Sequence, residues 1–290
     1  MRIRRPAVAG LFYERSREGL LRQLEEAFLK GPGARLQKPG PYAGSVLGAV
    51  VPHAGYVYSG YVAAYSYAEM ASSGTPEVVI LVGPNHHALG MPVAVSEADA
   101  WETPLGTVEV DKEVAKRIIE WSEVAALDDS AHAYEHSLEV QLPFLQYIFG
   151  ESFKIVPISM YLQEPTVSRR LGRAIARVLK ELGVKAYVVA SSDFTHYEEA
   201  RKAAEKDRAA IDAILRLDDR GLYDVIIEKD VTACGYGAIM TLIAAAREMP
   251  PVRVKLLKYA NSGDVTGDYS EVVGYASICF YREALSSPEP

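Results

Sequence analysis

The chain has 290 residues, 49% hydrophobic and 24% charged, with a formal net charge of −7. That length buries a large core as one α/β domain, read here as residues 1–290. No run approaches the roughly 18–20 apolar residues of a membrane helix, and the basic start Met1–Pro6 lacks the apolar stretch of a secretory signal. No dense Lys/Arg block marks a nucleic-acid surface either, so neither membrane nor nucleic acid is an expected partner.

Leu20, Leu21, Leu24, Ala27 and Phe28 share one helical face, with Ser16 as N-cap and Gly31-Pro32-Gly33 as the stop. Residues 45–51 (SVLGAVV) read as a buried strand, 60–71 as a helix and 77–82 (EVVILV) as a second buried strand. Short extended pieces follow at 92–96 and 107–110, and Asp111 caps a helix over 112–121. A helical pattern covers about 136–149, which Pro143 either kinks or opens from its first turn. Residues 153–159 (FKIVPIS) read as a strand, and 165–182 as a helix whose Arg169, Arg170, Arg173 and Arg177 form a solvated face. Residues 185–191 (KAYVVAS) are a strand, and helices follow near 199–216, 219–228 and 235–248. Strands at 253–259 and 272–281 suit an antiparallel hairpin, and 284–290 is a frayed tail. Apolar strands separated by helices call for a mostly parallel sheet covered on both faces. Two cysteines, Cys234 and Cys279, make no disulfide framework for this length and point to a reducing, cytoplasmic location.

Ligands of open α/β sheets sit beyond the carboxyl ends of the strands. His53 follows the 45–51 strand, His86 the 77–82 strand, and Asp193 and His196 the 185–191 strand. His136 comes next to Glu135 before a helical pattern. Histidines at three such ends converge on one polar cleft; the alternative is a hydrogen-bonded network that only ties loops together. Cys234 opens a helical pattern, where a helix N-terminus lowers a thiol pKa, unless it is a small core residue; Cys279 reads as core. Neighbouring residues in extended chain point apart, so His86 rather than His87 is the candidate ligand. His132 reads as a surface-loop residue, and Glu135 as a favourable charge at a helix N-terminus. Asp264 and Asp268, beside Gly263 and Gly267, read as turn residues. Tyr56 and Tyr58 either line the cleft or pack on a helix.

The segments PHAGYVYSG (52–60), GPNHHALG (83–90), TPLG (103–106), EHSLEVQLPFLQ (135–146), SSDFTHY (191–197), CGYGA (234–238) and YANSGD (259–264) resemble the Memo family, in order along nearly the whole chain. That family is similar in fold to the class III extradiol dioxygenases, which implies a three-layer α/β/α domain with a mixed, mostly parallel central sheet. Those enzymes hold a non-haem Fe(II) on two histidines and a glutamate, with a further histidine as acid/base. The resemblance places His53 and His86 at the metal-binding histidines, Cys234 at the carboxylate position and His196 at the acid/base position. A thiolate keeps the charge of a carboxylate but is softer and oxidisable, which departs from the ring-cleaving pattern.

The leading expectation is a metal-binding, redox-type protein carrying iron or copper, with zinc also compatible, on His53, His86 and Cys234. His136, Asp193 and His196 then orient ligands or move protons on a small-molecule ligand. The second is a non-enzymatic peptide- or anion-binding module in a vestigial cleft, its anion met by the helix start at Cys234. The third is a thiol enzyme with Cys234 as nucleophile and His196 as base. A homo-oligomer is compatible with each.

Overall fold

A strand that is apolar at every position has no side to offer water, so it folds only where helices cover both faces. A computed structural model describes residues 1–33, 36–249 and 251–283; the expected frayed tail lies outside them. The elements are β1 (Ile3–Arg4), α1 (Arg17–Lys30), β2 (Val46–Val51), α2 (Tyr56–Ser72), β3 (Val78–Pro84), β4 (Val93–Val95), β5 (Ala100–Thr103), β6 (Gly106–Glu109), α3 (Lys112–Ser122), β7 (Ala126–Leu127), α4 (Leu142–Phe149), β8 (Lys154–Met160), α5 (Pro165–Leu182), β9 (Ala186–Ser191), β10 (His196–Glu198), α6 (Ala200–Leu215), α7 (Asp219–Glu228), α8 (Tyr236–Arg247), β11 (Val252–Asn261), α9 (Gly263–Thr266) and β12 (Val272–Arg282). The central sheet runs β10-β12-β2-β9-β3-β8-β4-β7, with β11 paired to β12. Strands β2, β9, β3 and β8 are mutually parallel, while β12 runs antiparallel to β2, and β4 to β8. The sheet is therefore mixed with a parallel centre, and no helix among the described residues is long and apolar enough to cross a membrane.

The period of two along each strand divides the core into two layers. Val78, Ile80 and Val82 of β3 and Val188 and Ala190 of β9 face α3, α5, α6, α7 and α8. Val79 and Leu81 of β3 and Tyr187 and Val189 of β9 face α1, α2 and α4. At roughly 1.5–3 kcal/mol for each large apolar side chain removed from water, neither face tolerates exposure. On β2, Leu47 packs in the first layer and Ala49 and Val51 in the second. The register shift opposite Phe280 and Tyr281 accounts for this break in parity. Gly48 sits against the Val188 carbonyl, where any Cβ would overlap it.

Several expectations are refined. The α2 helix starts at Tyr56 rather than 60, because Phe12 O accepts the Tyr56 N–H (2.8 Å) and Gly55 O accepts those of Tyr58 and Ser59 (2.9 and 3.1 Å). The helix expected over 136–149 is a short 3-10 turn, Glu139–Gln141, followed by α4, whose first turn holds Pro143. Strands β1, β5 and β6 form a separate small sheet, of which only the stretch near 107–110 was legible. The four arginines of α5 do form a solvated face. Arg169 meets Asp219, Arg170 meets Glu123, Arg173 lies 3.5 Å from Glu248, and Arg177 lies 2.7 Å from Glu181 and over Trp121.

Candidate metal centre

Because β2, β9 and β3 are neighbours and parallel, their carboxyl ends open on one side of the sheet. His53, Asp193 and His86 each stand two residues past the end of one of them. Cys234 arrives from the other direction, at the start of α8. Gly235 lets it approach: its N–H donates to Ser192 Oγ (2.9 Å), and any Cβ there would overlap the Ser191 carbonyl. His196 begins β10 at the sheet edge, paired with Val273. His53, His86, Asp193 and His196 border one cleft of about 750 Å³, walled further by Phe12, Tyr58, His136, Tyr197, Asp268, Glu271 and Tyr275. Tyr197 holds a left-handed backbone (φ 58°) at the bulge in β10, which leaves its ring on the rim.

The histidine tautomers follow from the hydrogen bonds around them. Ser191 Oγ donates its one proton to Ser137 O (2.7 Å) and accepts from Gln141 Nε2 (2.9 Å). The amide of Gln141 is oriented by Tyr67, whose hydroxyl donates to Oε1 (2.5 Å). His53 Nδ1, 2.8 Å from Ser191 Oγ, must therefore be the donor. Its Nε2 is left unprotonated and lies 3.1 Å from Cys234 Sγ. His86 Nδ1 donates to Glu135 Oε1 (2.9 Å), and the His86 N–H donates to Glu135 Oε2 (2.6 Å). Ser137 N–H also donates to Oε1 (2.8 Å). Both histidines are thus held from the far nitrogen, the usual arrangement behind a metal ligand. One ligand atom each from His53, His86 and Cys234 lie within 4.8 Å of one another.

Bonds of about 2.0–2.3 Å to one ion put ligand atoms roughly 3–4 Å apart, so the three residues fit a single first-row ion. His86, Glu135 and His136 also cluster. Both Glu135 oxygens there are already occupied by N–H donors, which makes that set the poorer one. His136 sits between Phe12 and His86, with ring centroids 4.4 and 4.6 Å away. His196 donates from Nδ1 to Thr232 O (3.0 Å), leaving Nε2 as its basic nitrogen. Asp193 Oδ1 accepts the His53 N–H (2.8 Å).

Burial sets the charges. It lowers the His53 pKa well below the ordinary imidazole value, helped by His136 and His86, and lowers His136 to about 4. It raises Asp193 to about 6, against the pull of the His53 N–H and nearby histidines. For Glu135 burial opposes ionisation, but the His86 hydrogen bond and charge, and then Ser137 N–H, hold the carboxyl well below the usual range.

Three expectations need correction. Burial, and then the charge of Asp193, push the Cys234 thiol up, so the helix start does not make it a free thiolate. Two N–H groups at that start are taken, Gly235's by Ser192 Oγ (2.9 Å) and Gly237's by Gln163 Oε1 (2.7 Å). His132 is buried, its Nε2 3.1 Å from Ala94 O and its ring edge-on to Trp101, because the 130–132 turn tucks beneath the small sheet. Glu135 orients His86 instead of serving a helix end. Sequence reasoning missed Ser191, Gln141 and Phe12, which carry only the weak signal of polar or aromatic residues inside otherwise apolar stretches. Tyr56 is buried and donates to Val140 O (2.5 Å), Tyr58 lines the cleft, and Cys279 is core. Asp264 accepts the Asn261 N–H (3.0 Å) and Asp268 those of Ser270, as turn chemistry requires. His87 turns away toward Tyr134.

A solved structure of an uncharacterized protein from Escherichia coli K12 has a TM-score of 0.51 at 13% identity, covering 80% of this chain and 98% of that one, which shows the fold alone. A MEMO1 family protein of Pyrobaculum aerophilum is 52% identical over 282 residues, 97% of this chain and 100% of that protein. One from Methanothermobacter thermautotrophicus is 47% identical over 281 residues, 95% and 99% of the two chains. The family model for Memo-like proteins matches residues 4–279, and with end-to-end relatives at about half identity the chain belongs to the Memo family.

Proposed function

We propose that the cleft holds one iron or copper ion on His53, His86 and Cys234 and serves a redox-type reaction on a small molecule. The observation that carries this reading is the pair of histidines fixed through Nδ1, one by Ser191 and one by Glu135, with His53 Nε2 3.1 Å from the Cys234 sulfur. Two imidazoles and a thiol form a borderline-to-soft donor set, suited to iron, copper or zinc over magnesium or calcium. A bound ion would supply redox chemistry, and Cys234 would hold it as the thiolate, releasing the proton that burial otherwise retains.

The chain's own groups supply the rest. His196 takes or gives a proton at Nε2, since Nδ1 is committed to Thr232 O. Asp193, raised to about 6, exchanges a proton near neutrality and fixes the His53 backbone. His136, lowered to about 4, stays neutral and packs Phe12 against His86. Phe12 and Tyr275 give the cleft wall an aromatic part.

The test is anaerobic purification without chelator and elemental mass spectrometry for iron, copper and zinc, with His53→Ala/Cys234→Ser alongside. Near-stoichiometric iron or copper that disappears in the variant is expected. No metal after anaerobic reconstitution, or equal metal in both proteins, refutes the reading.

A further inference from the structure

His196 is carried by a segment that does not hold its own shape. Tyr197, next in the chain, keeps a left-handed backbone (φ 58°), which is costly for a bulky residue and persists only where the surroundings impose it. The imposing group comes from α6. Asp207 is fully buried, and its Oδ1 accepts both the Thr195 N–H (2.9 Å) and the Thr195 hydroxyl (2.6 Å). Its Oδ2 accepts from the hydroxyl of Tyr259 on β11 (2.7 Å). Any Cβ at Gly274 of β12 would overlap Oδ2, so that glycine is what admits the carboxylate. Gly274 also brackets the segment: its carbonyl accepts the Phe194 N–H (2.8 Å), and its N–H donates to Thr195 O (2.9 Å). Beyond this clamp His196 donates its backbone N–H to Thr232 Oγ1 (2.7 Å) and its Nδ1–H to Thr232 O (3.0 Å). Burial raises the Asp207 pKa, against the pull of the Thr195 and Tyr259 hydrogen bonds. Strand β10 already pairs with β12 through its backbone, so a plain tie at this sheet edge needs no buried acid, whose desolvation is unfavourable.

We infer that Asp207, braced by Tyr259, is the positioning residue for His196: by gripping Thr195 it holds the His196 ring with Nδ1 on Thr232 O and Nε2 free for proton transfer in the cleft. This rests on the reading of His196 as the acid/base group of the cleft and adds the device that sets its tautomer. The grip is one of shape rather than of charge. An asparagine at 207 keeps an oxygen for both Thr195 donors, and its amide donates to the Tyr259 hydroxyl, which accepts as well as donates. An alanine leaves both Thr195 donors buried without an acceptor, and the strained turn at Tyr197 relaxes. None of the hydrogen bonds of Asp207 reaches His53, His86 or Cys234, so the device works without the metal.

The test reads the His196 tautomer directly, from ring-nitrogen NMR shifts of the metal-free full chain with isotopically labelled histidine, at a pH where His196 is neutral; His196→Gln identifies its signals. The wild type and Asp207→Asn show the Nδ1–H form alone. Asp207→Ala loses it to a mixture with the Nε2–H form. Tyr259→Phe, which removes only the bracing hydroxyl, shows the same mixture to a smaller degree and decides the matter should Asp207→Ala fail to fold. The wild-type tautomer in every folded variant, even with a lowered Tm, overturns the inference, because Asp207 would then be a structural tie only. So does a mixture in Asp207→Asn, since charge and not grip would then set the ring, and so does an Nε2–H form in the wild type. Metal uptake on reconstitution of the same samples is expected to be unchanged; its loss together with the tautomer in Asp207→Ala also overturns the inference, because the clamp would then shape the whole cleft. The two readings fail separately: a tautomer that shifts as expected in a protein that never takes up metal sinks only the metal assignment, and normal metal with an unmoved tautomer sinks only this one.

Discussion

Glu135→Gln isolates the device that aims His86. The wild-type carboxylate accepts three N–H groups, two from His86 and one from Ser137, at 2.6–2.9 Å. A glutamine keeps one oxygen, so its amide nitrogen must face at least one buried donor. Such a mismatch costs about 1–3 kcal/mol of stability, which lowers Tm by roughly 2–4 °C per kcal/mol at this chain length. The His86 ring also loses its charged acceptor, and loss of such a partner weakens metal binding about 10–100-fold, or roughly 1.4–2.7 kcal/mol. Chelator competition on the reconstituted protein reads the affinity, and calorimetry reads the stability. Wild-type metal affinity in a variant that has lost stability refutes the reasoning, since Glu135 would then be a loop tie and nothing more.

Glu139→Gln breaks the buried pair with Arg4 and weakens the acceptor of the Ala7, Val8 and Tyr13 donors. A loss of about 3–5 kcal/mol is expected with metal content unchanged, and a loss below about 1 kcal/mol in denaturant melts contradicts it. Acidification destabilises the metal-free protein. His132 and His136 are lowered by burial from 6.5 to about 4, so the unfolded chain takes up their protons first. The stability present above pH 6.5 is then lost as pH falls toward 4, about 3 kcal/mol per histidine. Asp193, raised by burial from 3.8 to about 6, acts in the opposite sense by about 3 kcal/mol, whereas His53, lowered well below 6.5 by burial, adds to the loss, so the balance is destabilising. Urea melts from pH 7 to 4 that show flat stability contradict this. Gly235→Ala drives a methyl into the Ser191 carbonyl and shifts Cys234, so metal content falls while the far-UV circular dichroism spectrum is retained; unchanged metal content argues against that close approach.

The strands at 45–51, 77–82 and 185–191 were legible because an unbroken apolar run has one destination, the middle of a covered sheet. Their order in the chain, with helices between, made parallel pairing the natural outcome, and their carboxyl ends marked where His53, His86, Asp193 and His196 gather. Local chemistry also placed the caps at Ser16 and Asp111, whose side chains accept from Gly19 and Val114 N–H. Other features depend on residues far apart in sequence. Glu135 reads as an ordinary acid at a helix start until the fold brings His86, 49 residues away, onto it. Ser191 reads as the end of a strand until Gln141, Ser137 and His53 converge on its hydroxyl. Burial, which lowers His53 and raises Cys234 and Asp193, is a property of the packed volume around a group and is carried by no neighbour in the chain. The sequence by itself determined the elements, the layers and the residue types at the strand ends. Only the tertiary structure decided which nitrogen of each histidine faces Cys234 and which buried carboxylate grips the segment of His196, because both depend on contacts between distant segments.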